Sequence, residues 1–192
     1  MMELVFATNN AHKLREVCEI IGNSAFVRSL REVDFEKEIP ETADTLAGNA
    51  IQKARFVYEG TGHDCFADDT GLEIESLGGR PGVYSARYAG EDCSFDDNIR
   101  KVLKEMEGVD NRKASFRCVI CLIREGKEYL FEGRVDGIIL GSRRGKDGFG
   151  YDPVFLPDGY EQSFAEMSPE LKNRISHRGE AVQRLLEFIK KG

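Results

Sequence analysis

Residues 114–140 constrain the fold most. Two long runs rich in β-branched and aromatic residues, 114–124 and 128–140, are separated only by Glu125-Gly126-Lys127. A glycine-containing connection that short reads as a β-hairpin, so the middle of the chain is committed to an antiparallel strand pair. Around it, strand and helix patterns alternate. Residues 3–7 read as a short buried strand that runs directly into Thr8-Asn9-Asn10. Leu14, Val17, Cys18 and Ile21 then recur at helical spacing until Gly22. Residues 25–30 suit a second strand, and the acidic stretch 32–44, with Pro40, reads mostly as loop. A helix is expected from Asp44 or Thr45 to about Tyr58, with Leu46, Ala50, Ala54 and Val57 along one side.

Residues 64–67 and 72–77 read as separate strands on either side of an acidic pair, and 78–82 as a turn or surface loop. Ser94 and Asp97 have capping-box spacing ahead of a third helix, with Ile99, Val102 and Leu103 facing inward. Residues 142–152 form a basic, glycine-rich loop. Ser168-Pro169 signals a short helix, because proline suits the first helical position. The last helix is expected to start near Ser176 and to bury Val182, Leu185, Leu186 and Ile189. This order predicts one α/β domain over residues 1–192, with a mixed β-sheet and flanking helices. The long hairpin and the separate helices allow it two lobes with a cleft between them.

At 192 residues such a domain can bury a substantial core. Apolar runs such as 119–123 are far too short to cross a membrane, and no signal-like segment opens the chain. A cytoplasmic location and no membrane partner are expected. The five cysteines are scattered, and Cys118 and Cys121 form a C-x-x-C within a predicted strand. Residues three apart on a strand point to opposite faces, so this pair reads as buried thiols rather than a zinc site. The net charge of −7 disfavours a nucleic acid polymer as partner, but not a small anion held by a few lysines.

Four polar clusters sit where the chain changes direction. Thr8-Asn9-Asn10-Ala11-His12-Lys13 joins a strand to a helix, as either an ordinary N-cap or an anion-binding turn. Asn49 and Lys53 share a helix face, with Glu41 in the preceding loop; alone, this is equally a solvated face. In Cys65-Phe66-Ala67-Asp68-Asp69-Thr70-Gly71 an apolar run meets two adjacent carboxylates, which suits a hard cation or a polar turn. Lastly, Phe149 stands between Gly148 and Gly150, where its ring can stack on a flat ligand; Lys172 and Ser176-His177-Arg178 follow, residues that elsewhere are surface or capping groups. Together the clusters supply metal-binding carboxylates, lysines for phosphate, and an aromatic platform, the inventory of a nucleoside triphosphate with magnesium. No Walker A motif and no G-x-G-x-x-G after a strand are present.

These residues resemble a known family. Thr8-x-Asn10-x-x-Lys13, Glu41 with Asn49-Ala-Ile-x-Lys53, and 67–72 (Ala-Asp-Asp-Thr-Gly-Leu) match it in order. So do 77–88, Gly148-Phe149-Gly150-Tyr151-Asp152-Pro153, and Lys172 followed by Ser176-His177-Arg178-Gly179. The chain resembles the inosine triphosphate pyrophosphatases, with Asn9 where bacterial relatives often carry Gly. The resemblance implies an elongated mixed α/β fold with flanking helices, two lobes and an active site in the cleft between them. It implies cleavage of ITP, dITP and XTP between the α- and β-phosphates, with Mg2+, in the cytoplasm, by a homodimer.

Carried over by residue, Asp69 is the catalytic carboxylate and binds the metal with Glu41. Substrate binding falls to Thr8, Asn9, Asn10, Ala11, His12 and Lys13, to Lys53 and Thr70, to Phe149, Gly150, Tyr151 and Asp152, and to Lys172, His177 and Arg178. Asp68, on the opposite strand face, either anchors a neighbouring loop or, if the strand has already ended, reaches the metal. The 78–88 segment is a candidate dimer surface or a lining of the site. The competing readings are a pyrophosphatase with another base preference and a catalytically silent nucleotide-binding module.

Overall fold

The computed structural model describes residues 2–191, so the outermost ends of the predicted domain, Met1 and Gly192, lie outside the described residues. In chain order the elements are β1 (Glu3–Phe6), α1 (Ala11–Ile21), β2 (Phe26–Arg28), α2 (Leu46–Thr61), β3 (Cys65–Ile74), β4 (Pro81–Gly82) and α3 (Phe95–Glu105). They continue with β5 (Lys113–Arg124), β6 (Lys127–Ile139), β7 (Phe155–Pro157), α4 (Pro169–Ile175) and α5 (His177–Lys191). The strands form one mixed sheet in the order β2-β1-β3-β5-β6-β7, with β4 antiparallel on β3. β1 is parallel to both β2 and β3, whereas β7 is antiparallel to β6. At the β5–β6 turn Glu125 and Gly126 both take positive φ, 51° and 75°, as a two-residue hairpin turn requires.

Local chemistry fixes the helix starts. Asn10 Oδ1 accepts the His12 and Lys13 N–H groups and Thr45 caps α2 through Gly48 N–H. Ser94 and Asp97 form the expected capping box. Ser168 accepts Leu171 N–H, with Pro169 opening α4.

The chain packs as two compact units: residues up to 69 with 118–133 and those from 177 onward, and residues 70–117 with 134–176. In the first, Leu4 and Phe6 of β1, Phe66 of β3, Ile120 and Leu122 of β5 and Val182, Leu185 and Leu186 of α5 form the core. The Phe6 and Phe66 rings stack at 4.5 Å. The second unit buries Leu72, Ile74, Ile99, Val102, Phe116, Phe155 and Phe164.

Four details depart from the sequence reading. β3 runs unbroken through Asp68 and Asp69, because charged side chains from helices satisfy both carboxylates and the ladder need not stop. Cys18 is exposed, since the buried stripe of α1 is narrow and holds only Val17 and Ile21 fully. Ile189 is only partly buried near the end of α5. Residues 81 and 82 of the predicted loop pair with Leu72 and Glu73 as a short strand. Cys118 and Cys121 are buried as expected, with Cys118 in the first unit's core, and burial pushes the Cys121 thiol up to about 12.

Candidate active site

In the first unit the two faces of β3 carry different chemistry. On one face Asp68 is fully buried. Its Oδ1 lies 3.0 Å from Lys13 Nζ and its Oδ2 accepts Arg178 Nε at 3.1 Å. The same guanidinium donates through Nη1 to Glu16 at 2.6 Å, so α1 and α5 are bound to β3 through one charge cluster. Burial alone would raise the Asp68 pKa, but the charges of Lys13 and Arg178 outweigh it and hold the carboxyl well below the usual range.

On the other face Asp69 Oδ1 meets Lys53 Nζ at 3.0 Å, and Oδ2 accepts Asn49 Nδ2 at 3.2 Å. Lys53 also reaches Glu41 Oε1 at 2.5 Å, so two carboxylates share one buried ammonium. The loop carrying Glu41 is held by α2: Asn49 Oδ1 accepts Ala43 N–H and Gln52 Oε1 accepts Thr42 N–H, both at 2.9 Å. Asn49 and Lys53 are thus buried and not a solvated face.

Burial lifts the pKa of Asp69; Lys53 and Lys13 offset this only in part, and Glu41 adds to it. Glu41 is also pushed up by burial, but Lys53 outweighs that and leaves it below its ordinary value. The excess of one negative charge around Lys53 is what a divalent cation would neutralise. Mg²⁺ is served by one or two carboxylates together with waters and phosphate oxygens. Glu41 and Asp69 fit that demand. Among the described residues no group of three or more His, Cys, Asp or Glu forms a closed cage.

Thr8 Oγ1 accepts Asn10 N–H at 3.1 Å, which shapes the turn before α1. Asn9, Ala11 and His12 are exposed. His177 is buried at the start of α5, against β6. That approach requires Gly133, where a Cβ would stand 2.0 Å from the His177 carbonyl oxygen. Arg178, read from the sequence as a contact to the base, is placed by the structure against Asp68 and Glu16. Sequence reasoning missed Glu16; its position three residues after Lys13, on the same helix face, was the available signal.

The second unit gathers Phe149, Gly150, Tyr151, Asp152 and Lys172. Buried Asp152 accepts Phe149 N–H at 2.8 Å and Lys172 Nζ at 2.6 Å through the same oxygen. Lys172 Nζ also lies 4.9 Å from the centre of the Phe149 ring, a cation–π contact. Gly148, at φ 77°, lets the loop close over Asp152: a Cβ there would be 2.2 Å from its Oδ2. Tyr151 is buried and donates to the Ser85 carbonyl at 2.8 Å. Thr70 is half-buried on β3. A pocket of about 330 Å³ opens beside Phe149, walled by Phe95, Ile99, Arg143 and Lys146. In the 78–88 segment Ser85 is buried and Tyr84 exposed.

Among the described residues no helix is long and apolar enough to cross a membrane. The chain is similar along its whole length to proteins of one kind. It is 52% identical over 190 residues to the dITP/XTP pyrophosphatase of Porphyromonas gingivalis, covering 98% of each chain. It is 50% identical over 188 residues to the dITP/XTP pyrophosphatase of Flavobacterium johnsoniae, again with 98% of each covered. Among solved structures, a HAM1 protein from Coxiella burnetii superimposes with a TM-score of 0.91 at 38% identity over all of both chains. The Staphylococcus aureus Ham1 protein gives 0.89 at 36%, with 98% of each covered. The Ham1 family model matches residues 4–188, and the chain belongs to the Ham1 family.

Proposed function

We propose that this enzyme hydrolyses the non-standard purine nucleotides dITP, ITP and XTP to the nucleoside monophosphate and pyrophosphate. The observation that carries the chemistry is the buried Asp69, its proton affinity raised, sharing Lys53 with Glu41. Its full-length similarity to proteins named dITP/XTP pyrophosphatase supports the substrate class.

In this reading Asp69 accepts the proton of the attacking water, a role that a raised carboxylate pKa favours. Lys53 and Lys13 hold negative charge on the triphosphate, where it grows as pyrophosphate leaves. Thr8, Asn10 and Thr70 orient phosphate oxygens, with Asn9, Ala11 and His12 completing the turn. Glu41 and Asp69 would hold Mg²⁺, which would supply Lewis-acid neutralisation of the phosphates.

Phe149 is assigned as the stacking platform, its backbone and the Lys172 ammonium both fixed by Asp152. Tyr151 and Gly150 set that loop's shape. A donor from His177 or from Arg178, the latter also bonded to Asp68 and Glu16, is assigned to the 6-oxo group that hypoxanthine and xanthine carry and adenine lacks. A polar mismatch of this kind can discriminate by roughly 10⁴. The enzyme is further read as a cytoplasmic homodimer, with the exposed Tyr84 segment at its interface.

A panel of dITP, XTP, dGTP and dATP with Mg²⁺, read as pyrophosphate release, tests the function. Strong preference for dITP and XTP is expected. Equal turnover of all four refutes base selection, and no pyrophosphate from any of them refutes the enzyme reading.

A further inference from the structure

We propose that Phe95, the first residue of α3, is a positioning residue that braces the Phe149 ring and thereby sets affinity for the base. The inference rests on the reading of Phe149 as the base platform and extends it to a residue outside the family-like motifs. Phe95 is 41% exposed, an unusual position for a large apolar side chain at a helix start. Its ring centre lies 6.0 Å from that of Phe149, tilted by 47°, within the range of favourable aromatic pairs. Both rings wall the same pocket.

The brace is held at its root. The Ser94–Asp97 capping box fixes the first turn of α3. Asp96, next to Phe95, accepts Arg143 Nη2 at 2.5 Å and so ties that turn to the loop leading to Phe149. Asp152 fixes the backbone of Phe149 but not the tilt of its ring. Lys172, held by Asp152, meets that ring with a single ammonium group, whereas Phe95 sets a second flat ring beside it. Losing Phe95 frees the platform to take other tilts, and the cost falls on substrate binding rather than on the reacting phosphates.

The test compares Phe95→Ala, Phe95→Tyr and Phe149→Ala with the parent enzyme on dITP. Phe95→Ala is expected to raise KM about 2- to 10-fold, the factor matching one aromatic pair, with kcat little changed. Phe95→Tyr keeps the ring and should restore the parent KM. The chain has no Trp, so Phe149→Trp installs a single Trp at the platform, excited selectively beyond the tyrosine absorption. Adding Phe95→Ala to it should lower the Trp anisotropy, a readout that does not depend on turnover. If Phe149→Ala raises KM while Phe95→Ala does not, the brace is overturned and the platform reading stands. If neither variant changes KM, both fall.

Discussion

Asp68 and Asp69 are neighbours in sequence, equally buried in kind, and opposite in chemistry. Asp68 faces two cations of its own, Lys13 and Arg178, and its charged form is stabilised. Asp69 shares a single ammonium with Glu41, and burial leaves it with a raised pKa. On the proposed reading, one strand holds structure on one face and chemistry on the other. A fully compensated carboxylate ties elements together. An undercompensated one keeps capacity for a proton or a cation.

The largest effect is expected where that capacity is removed. Asp69→Asn should lower pyrophosphate release by about 10²- to 10⁴-fold, the range for losing a general base. Stability should hold or rise slightly, because a folded pKa above the unfolded one means that the ionised group costs stability at neutral pH. A large loss of folding in urea would break the contrast.

Asp68→Asn should behave in the opposite way, lowering unfolding free energy by about 3–5 kcal/mol, because Arg178 would be left buried without one of its counter-charges. The pH dependence has a definite sign. With its folded pKa lowered, Asp68 contributes stability that is fully present above the ordinary aspartate value of about 3.9 and is lost as pH falls through the folded value. Denaturation in EDTA should therefore show a shallower acid decline for Asp68→Asn than for the parent protein. Identical acid limbs would remove the ion cluster from the explanation.

A smaller effect tests what holds Arg178 in place. Gly133→Ala pushes a methyl group against the His177 carbonyl and should cost about 1–3 kcal/mol, seen as a lowered Tm. An unchanged Tm would mean that the start of α5 can yield without disturbing the Asp68 cluster.

Much of this contrast was legible in the sequence, and the reason is locality. The alternation of side chains along a strand separated Asp68 from Asp69 without any knowledge of the fold. Helix starts could be read at Asn9 or Asn10, at Asp44 or Thr45, at Ser94 and at Ser168, because a cap bonds N–H groups two or three residues away; the structure selects Asn10 and Thr45. The hairpin at Glu125 and Gly126 is equally local.

The continuity of β3 was not legible. The charges that let the strand pass through its acidic pair come from Lys13 and Arg178, 55 and 110 residues away. For the same reason the ion pairs of Arg178 with Glu16 and Asp68 were not legible. Cys18 misled for a different reason, since helical spacing marks a stripe but not its width. Phe95 carried no motif at all; only the packing against Phe149 draws attention to it.

The division of labour along β3 is tested most directly by pyrophosphate release from dITP with Mg²⁺, measured per folded molecule for Asp68→Asn beside Asp69→Asn. The expected result is that folded Asp68→Asn keeps kcat within about tenfold of the parent, with its loss confined to stability and KM, while Asp69→Asn is well folded and nearly inactive. Equal loss of kcat in both folded variants would contradict the assignment of structure to Asp68 and chemistry to Asp69.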